Sequence, residues 1–276
     1  MRPRLFGVDF TSRPSRRKAI VVAEGRLEDN VLTVSSCQRL EHFSAFEAFL
    51  QTPGPWLGGF DFPFGFSRAL VEAQGWPNTW PALMASLAAL PADTARAQLT
   101  ERFRAWCGAR PAGQKFAHRA TDGPAGSSPS MKWVNPPVAW MLLEGATRLW
   151  QAGVTVPGMH VADPARIALE AYPGYLARRI TRASYKSDEK AKQTPARTAV
   201  RATLLAALAQ GVDDYPRVKW EDGLEDAALA DASGDTLDAA LCLVQAAWAE
   251  VRRTDGFGLP PFDPLEGWTV SVPPAA

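Results

Sequence analysis

Leu5-Phe6-Gly7-Val8-Asp9-Phe10 is a short apolar run that closes on a carboxylate. Leu, Phe and Val at that density favour a strand buried on both faces, and an aspartate there needs a hydrogen bond, a cation or a cleft. The run therefore reads as a central strand with Asp9 at its carboxyl end. Later acidic residues are expected to converge on Asp9 and hold divalent metal.

Outward from that strand, the polar segment Thr11 to Lys18 contains Pro14 and leads into Ala19-Ile20-Val21-Val22-Ala23, with Gly25 beyond. Turn residues between two apolar runs predict strand, turn, strand. A third strand is expected from Asn30 to Cys37, which makes the first forty residues an antiparallel meander. Phe43, Phe46, Phe49 and Leu50 then fall at helical spacing, with Ser44 as the expected cap. Trp56-Leu57-Gly58-Gly59-Phe60-Asp61-Phe62-Pro63 repeats the opening theme, an apolar run closing on an acid. Three meandering strands, a helix and a strand is the order that starts the ribonuclease H-like fold. There the fourth strand lies parallel beside the first, so Asp9 and Asp61 would end side by side.

The chain has 276 residues, 46% of them hydrophobic, which is enough to fill the core of one elaborated domain. Thirty Lys and Arg against 29 Asp and Glu give a formal net charge of +1, so no global field advertises a polyanionic partner. Cys37, Cys107 and Cys242 are isolated and odd in number, against a disulfide framework or a structural zinc site. A reducing, cytoplasmic setting fits that usage. The late apolar stretch Ala239 to Ala249 is broken by Gln245 and is far short of the ~20 residues that cross a bilayer. No membrane association is expected.

From about residue 67 to 160 the pattern is mainly helical and reads as an insertion within a single domain spanning 1–276. Ala85 to Leu90, Ala92 to Cys107 and Val138 to Trp150 are its clearer helices. Between them, Arg110 to Pro137 is a Gly-, Pro- and Ser-rich loop carrying Lys115, His118, Arg119 and Lys132, a length that marks function or disorder. Arg166 to Glu170 is a third apolar run ending in an acid and gives the expected fifth strand. Arg178, Arg179, Arg182, Lys186, Lys190, Lys192, Arg197 and Arg201 follow, opposed only by Asp188 and Glu189, and such a stretch can grip a phosphate backbone. Thr198 to Ala209 is expected to be a helix, ended by Gly211. The tail after Asp255 is proline-rich and reads as a strap or a frayed end.

Asp235 and Asp238 lie three apart at the start of a helix expected to run to Arg252, with Leu237, Leu241, Val244 and Trp248 on one face. Carboxylates on one face repel and need a proton, a base or a metal ion, although acids in a first turn also serve simply as caps. Repetition strengthens the metal reading. Asp9, Asp61 and Glu170 each close an apolar run, and open α/β sheets bind ligands beyond the carboxyl ends of their strands. His42, His118 and His160 form no metal-binding pair and lie beside no nucleophile.

Gly7-Val8-Asp9, Phe60-Asp61-Phe62-Pro63 and Asp235-Thr236-Leu237-Asp238-Ala239 resemble the acidic motifs of ribonuclease H-like nucleases. The closing Asp-x-x-Asp-Ala is similar to that of Holliday-junction resolvases. With Glu170-Ala171-Tyr172-Pro173 and Tyr185-Lys186, the chain resembles an uncharacterised bacterial family, domain-of-unknown-function family 429, whose members are predicted nucleases.

That resemblance implies an α/β ribonuclease H-like fold. Its mixed sheet would have five strands, the first three antiparallel and the fourth and fifth parallel to the first. Asp9 would bridge two Mg2+ or Mn2+ ions, Asp61, Asp235 and Asp238 would complete the sites, and Glu170 would assist. Lys186, Lys115, Arg119 and Lys132 would contact the nucleic-acid substrate. Hard oxygen ligands suit such ions, and an ion pair can drive phosphodiester hydrolysis. An ATP-dependent kinase or ATPase of the actin and sugar-kinase type is the runner-up, disfavoured because Thr11 to Lys18 contains no phosphate-cradling glycine. A non-catalytic nucleic-acid-binding protein on the same fold is the third reading.

Overall fold

The computed structural model describes residues 2–275. β1 (Arg4–Asp9), β2 (Ile20–Glu28) and β3 (Val31–Leu40) form the expected antiparallel meander, and α1 (Phe43–Leu50) crosses over to β4 (Trp56–Phe60). The insertion holds α2 (Arg68–Ala73), α3 (Trp80–Ala88), α4 (Ala95–Gly108), α5 (Asp122–Ala125) and α6 (Val138–Gln151). The chain then returns through β5 (Val154–Thr155) to β6 (Asp163–Glu170), followed by α7 (Pro173–Ile180) and α8 (Pro195–Gln210). β7 (Arg217–Trp220), α9 (Leu224–Ala230) and α10 (Asp235–Val251) complete the regular elements.

The sheet has seven strands rather than five, in the order β5-β6-β4-β1-β2-β3-β7. β4 lies parallel to β1, and β6 parallel to β4, as the apolar runs imply. The two unexpected strands are the two edges: β5 has two residues and β7 has four. An edge strand that short carries too few residues to show a period-2 pattern. The cap of α1 also differs, since the helix begins at Phe43 with His42 before it and no side-chain cap bond.

Each sheet face buries its own core. Phe6, Val8 and Phe60 pack with α1 and the insertion, whereas Leu5, Leu57 and Leu169 pack against the carboxyl-terminal helices. α10 lies directly across β1 and β4, where glycine allows it. A Cβ on Gly7 would stand 2.0 Å from the Ala239 carbonyl oxygen, and one on Gly59 would stand 2.5 Å from that of Cys242. Contact this close brings the amino end of α10 over the carboxyl ends of the two strands. The proline-rich tail is a strap, not a frayed end: Trp268, Val270 and Val272 are buried, and Thr269 forms a parallel bridge with Glu170. No described helix is long and apolar enough to cross a membrane.

Candidate active site at the strand ends

Strand parity sorts the acids. Successive side chains alternate between sheet faces, and residues paired across neighbouring strands share a face. Leu5, Gly7 and Asp9 point toward α10, as do Leu57, Gly59 and Asp61. The amide of Asp61 donates to the Val8 carbonyl at 2.9 Å, so the two aspartates sit at adjacent strand ends on one face. Glu170 pairs with Phe60, which pairs with Val8. It is therefore one row short and projects to the opposite face.

Glu170, expected to assist the centre, still lines the cleft with Asp9 and Asp61, but both of its oxygens are taken. Its Oε1 accepts from Arg119 Nη2 and from the Thr269 hydroxyl, each at 2.8 Å, and its Oε2 accepts from Arg119 Nη1 at 2.7 Å and the Phe64 amide at 2.8 Å. Arg119 is correspondingly buried, at 4% exposure, and also grips Asp122 through Nε and Nη2. It lines the cleft from within this ion-pair network rather than from a solvated loop. The pair ties the insertion loop, β6 and the tail strap together. Lys115 is exposed and Lys132 half-buried, and neither lines the cleft that contains Asp9.

α10 supplies the remaining carboxylates. Its first residue follows Gly234, whose φ of 78° suits glycine, and the free Thr236 amide is capped by Asp231 Oδ2 at 2.9 Å. Because Asp231 does the capping, Asp235 and Asp238 are released to face the strand ends. Asp235 is 2% and Asp238 0% exposed.

Two lysines meet these acids. Lys18 Nζ, at the approach to β2, reaches Asp235 Oδ1 at 2.6 Å and Asp188 at 2.9 Å. Lys186 Nζ pairs with Asp238 Oδ2, and the Tyr185 hydroxyl donates to Asp238 Oδ1. Arg201, buried in α8, anchors this segment by donating to the Tyr185 carbonyl at 2.8 Å. Lys18 and the anchoring roles of Tyr185 and Arg201 escape a reading of sequence alone.

Electrostatics set Asp9 and Asp61 apart. Burial and the neighbouring Asp238 and Asp61 charges raise the Asp9 carboxyl well above the carboxylate range. Burial, then the charge of Asp238, pushes Asp61 up to about 7. No hydrogen bond relieves either group among the described residues, and Asp235 Oδ2 is likewise buried and unpartnered. Burial also raises Asp238, against the pull of Lys186 and the hydrogen bonds from Lys186 and Tyr185. The two ammonium groups respond in the opposite sense. Burial acts against Lys18 and Lys186, yet Asp235 and Asp238 hold both above the ordinary lysine value.

Asp9 and Asp61 open into a cleft of about 310 Å3 that Lys18 and Lys186 also line. Among the described residues, no three His, Cys, Asp or Glu side chains are spaced to close around one ion. Lys18 is paired with Asp235 and Lys186 with Asp238, while Asp9 and Asp61 have no such partner among the described residues. An α/β sheet with a carboxylate and lysine centre at its switch from antiparallel to parallel strands defines the class of protein. The chain belongs to the family described as Protein of unknown function (DUF429), whose model matches residues 7–256. Neither the curated proteins nor the solved structures contain a match to it.

Proposed function

We propose that the protein is a divalent-metal-dependent nuclease built on a ribonuclease H-like arrangement, in which β6-β4-β1-β2-β3 is the common core and β5 and β7 are additions. The observation that carries this reading is the pair of carboxylates at adjacent strand ends, Asp9 and Asp61, crowded by Asp238 and without hydrogen-bond donors. Buried carboxylates in that state hold a proton or take up a cation, and near neutral pH a divalent ion can take the proton's place. An all-oxygen donor set fits Mg2+ or Mn2+. Asp9 and Asp61 would hold the ion, and Asp235, with its unpartnered Oδ2, and Asp238 would supply donors for a second.

When bound, such ions supply charge stabilisation at the phosphate and acidify a water. The chain's own groups do the rest. Lys18 and Lys186 stand at the cleft, where an ammonium can neutralise a phosphate oxygen, and Tyr185 orients Asp238 through its hydroxyl. Gly7 and Gly59 fix how closely α10 brings its acids to the strands.

Mn2+ titration calorimetry tests the metal centre. Wild type should bind, and Asp9→Asn and Asp61→Asn should each weaken binding by about tenfold or more. Wild-type protein that takes up no Mn2+ at neutral pH would remove the basis of the reading.

A further inference from the structure

Two more clefts meet the acid cleft at its lysines. One, of about 340 Å3, runs along α7 past Arg178 and Arg182 to Lys186 and Asp61. The other, about 540 Å3, runs past Lys190 and Arg17 to Lys18. Arg17, Arg182 and Lys190 are exposed and make no ion pair among the described residues. Among the described residues the only acid in the first groove is Asp61, and the only one in the second, Asp188, is already paired with Lys18. Both arms are thus cationic, and they meet the acid cleft at different lysines.

The acid cleft between them has a different character. Phe10, Phe62, Pro63, Met141 and Tyr172 supply apolar wall, Ser127 and Ser128 add hydroxyls, and the paired Arg119 and Glu170 also line it. Its volume of about 310 Å3 lies at the small end of ligand sites. That space admits one base with its sugar but not a stacked base pair. Cationic tracks that follow a backbone, joined to an apolar slot that accepts a base face, are how single strands are gripped without sequence readout.

We infer that the substrate is a single-stranded nucleic acid, threaded from the Arg182 groove to the Arg17–Lys190 groove with one unstacked base seated in the slot walled by Phe10, Phe62 and Met141. This rests on the nuclease reading for what happens at the centre, but the strand's path stands on its own cavities and charges. Duplex would have to release a base to enter, at a cost of a few kcal/mol. Phosphates on either side of the seated base meet Lys186 and Lys18.

The test is equilibrium binding in EDTA, so that no cleavage is needed. Fluorescein-labelled oligothymidylate, oligouridylate and a blunt DNA duplex of equal length are compared by anisotropy. A second oligothymidylate series carries one abasic position at each site in turn. Both single strands should bind about tenfold or more tighter than the duplex. Arg182→Glu and Lys190→Glu, both at exposed positions, should each weaken single-strand binding about fivefold or more and lower the salt slope by about 1.

One abasic position should weaken wild-type binding. Met141→Trp, which fills the slot, should bind intact and abasic strands alike. If only one sugar type binds, the strand path holds and the preference is assigned. Duplex bound as tightly as single strands, or no abasic position that matters, would overturn the inference. Tight single-strand binding without metal-dependent cleavage would leave this inference standing and remove the nuclease reading. Cleavage with no single-strand preference would do the reverse.

Discussion

Gly7→Ala is the smallest change that separates a packed scaffold from a positioned centre. The new Cβ would lie 2.0 Å from the Ala239 carbonyl oxygen, 2.1 Å from the Leu243 amide nitrogen and 2.7 Å from Leu243 Cα. All three are backbone atoms of α10, so no side-chain rotation relieves them. Ordinary contact begins at 3.4 Å, and the helix must therefore withdraw by about 1 Å or more, or β1 must bend.

Overpacking of this kind costs about 1–3 kcal/mol, and a rigid backbone neighbour argues for the upper end. The same shift carries Asp235 and Asp238 away from Asp9, and a 1 Å misplacement can cost about a hundredfold in rate. Urea unfolding reads the first effect, and Mn2+ calorimetry with oligonucleotide cleavage reads the second. Gly108→Ala is the control, since its Cβ meets nothing within 4 Å and its φ is ordinary. Gly7→Ala with an unchanged urea midpoint and unchanged Mn2+ affinity would refute the close approach of α10 as the device that assembles the centre.

Glu170→Gln weakens an ion pair buried on both sides and should lower stability by about 3 kcal/mol in urea unfolding while leaving Mn2+ affinity within about twofold. Loss of metal binding in that variant would show that Glu170 supports the metal centre directly. Lys186→Met leaves the buried Asp238 without its cation and should destabilise the metal-free protein by about 1–3 kcal/mol. Saturating Mn2+ should then raise its melting temperature more than it raises that of wild type. The Asp61 carboxyl, pushed up to about 7 by burial and then by Asp238, keeps a proton in the folded protein that the unfolded chain releases near pH 4. Its contribution to metal-free stability is therefore full below about pH 4 and falls as pH rises to about 7, whereas Mn2+ affinity rises over the approach to pH 7 as that proton leaves. Unfolding and calorimetry across pH 5 to 8, with Asp61→Asn flattening both curves, check the sign.

The centre of the fold was legible because the runs of β1, β4 and β6 are apolar enough to declare themselves and each closes on an acid. Asp9 and Asp61 could be placed side by side from sequence for that reason, and Asp235 and Asp238 stood out by their spacing of three at the start of a helix. Glu170 could not be placed. Its run looks the same as the Asp61 run, and only the pairing of Phe60 with Glu170 reveals that it lies one row short and faces the other side. A one-residue difference in register inverts the face and is invisible without the neighbouring strand.

The buried setting of Arg119 was not legible for a related reason. In a loop of Gly, Pro and Ser a basic residue suggests solvent, yet its partner Glu170 is 51 residues away and both are buried. Lys18 had no local signal at all, since Asp235 lies 217 residues further along the chain. The edge strands β5 and β7 are simply too short to show alternation.

Cleavage of labelled oligonucleotides in Mn2+, with wild type and Asp9→Asn side by side, tests the proposed chemistry most directly. Asp9 stands at the end of β1 and pairs with no hydrogen-bond donor among the described residues, and asparagine matches it in size. Wild type should cut in Mn2+ or Mg2+ and stop when EDTA is added, and Asp9→Asn, folded by circular dichroism, should cut about a hundredfold more slowly or less. Equal cleavage by the two proteins, or none by wild type on single strands and duplex alike, would contradict a metal-dependent nuclease centred on Asp9.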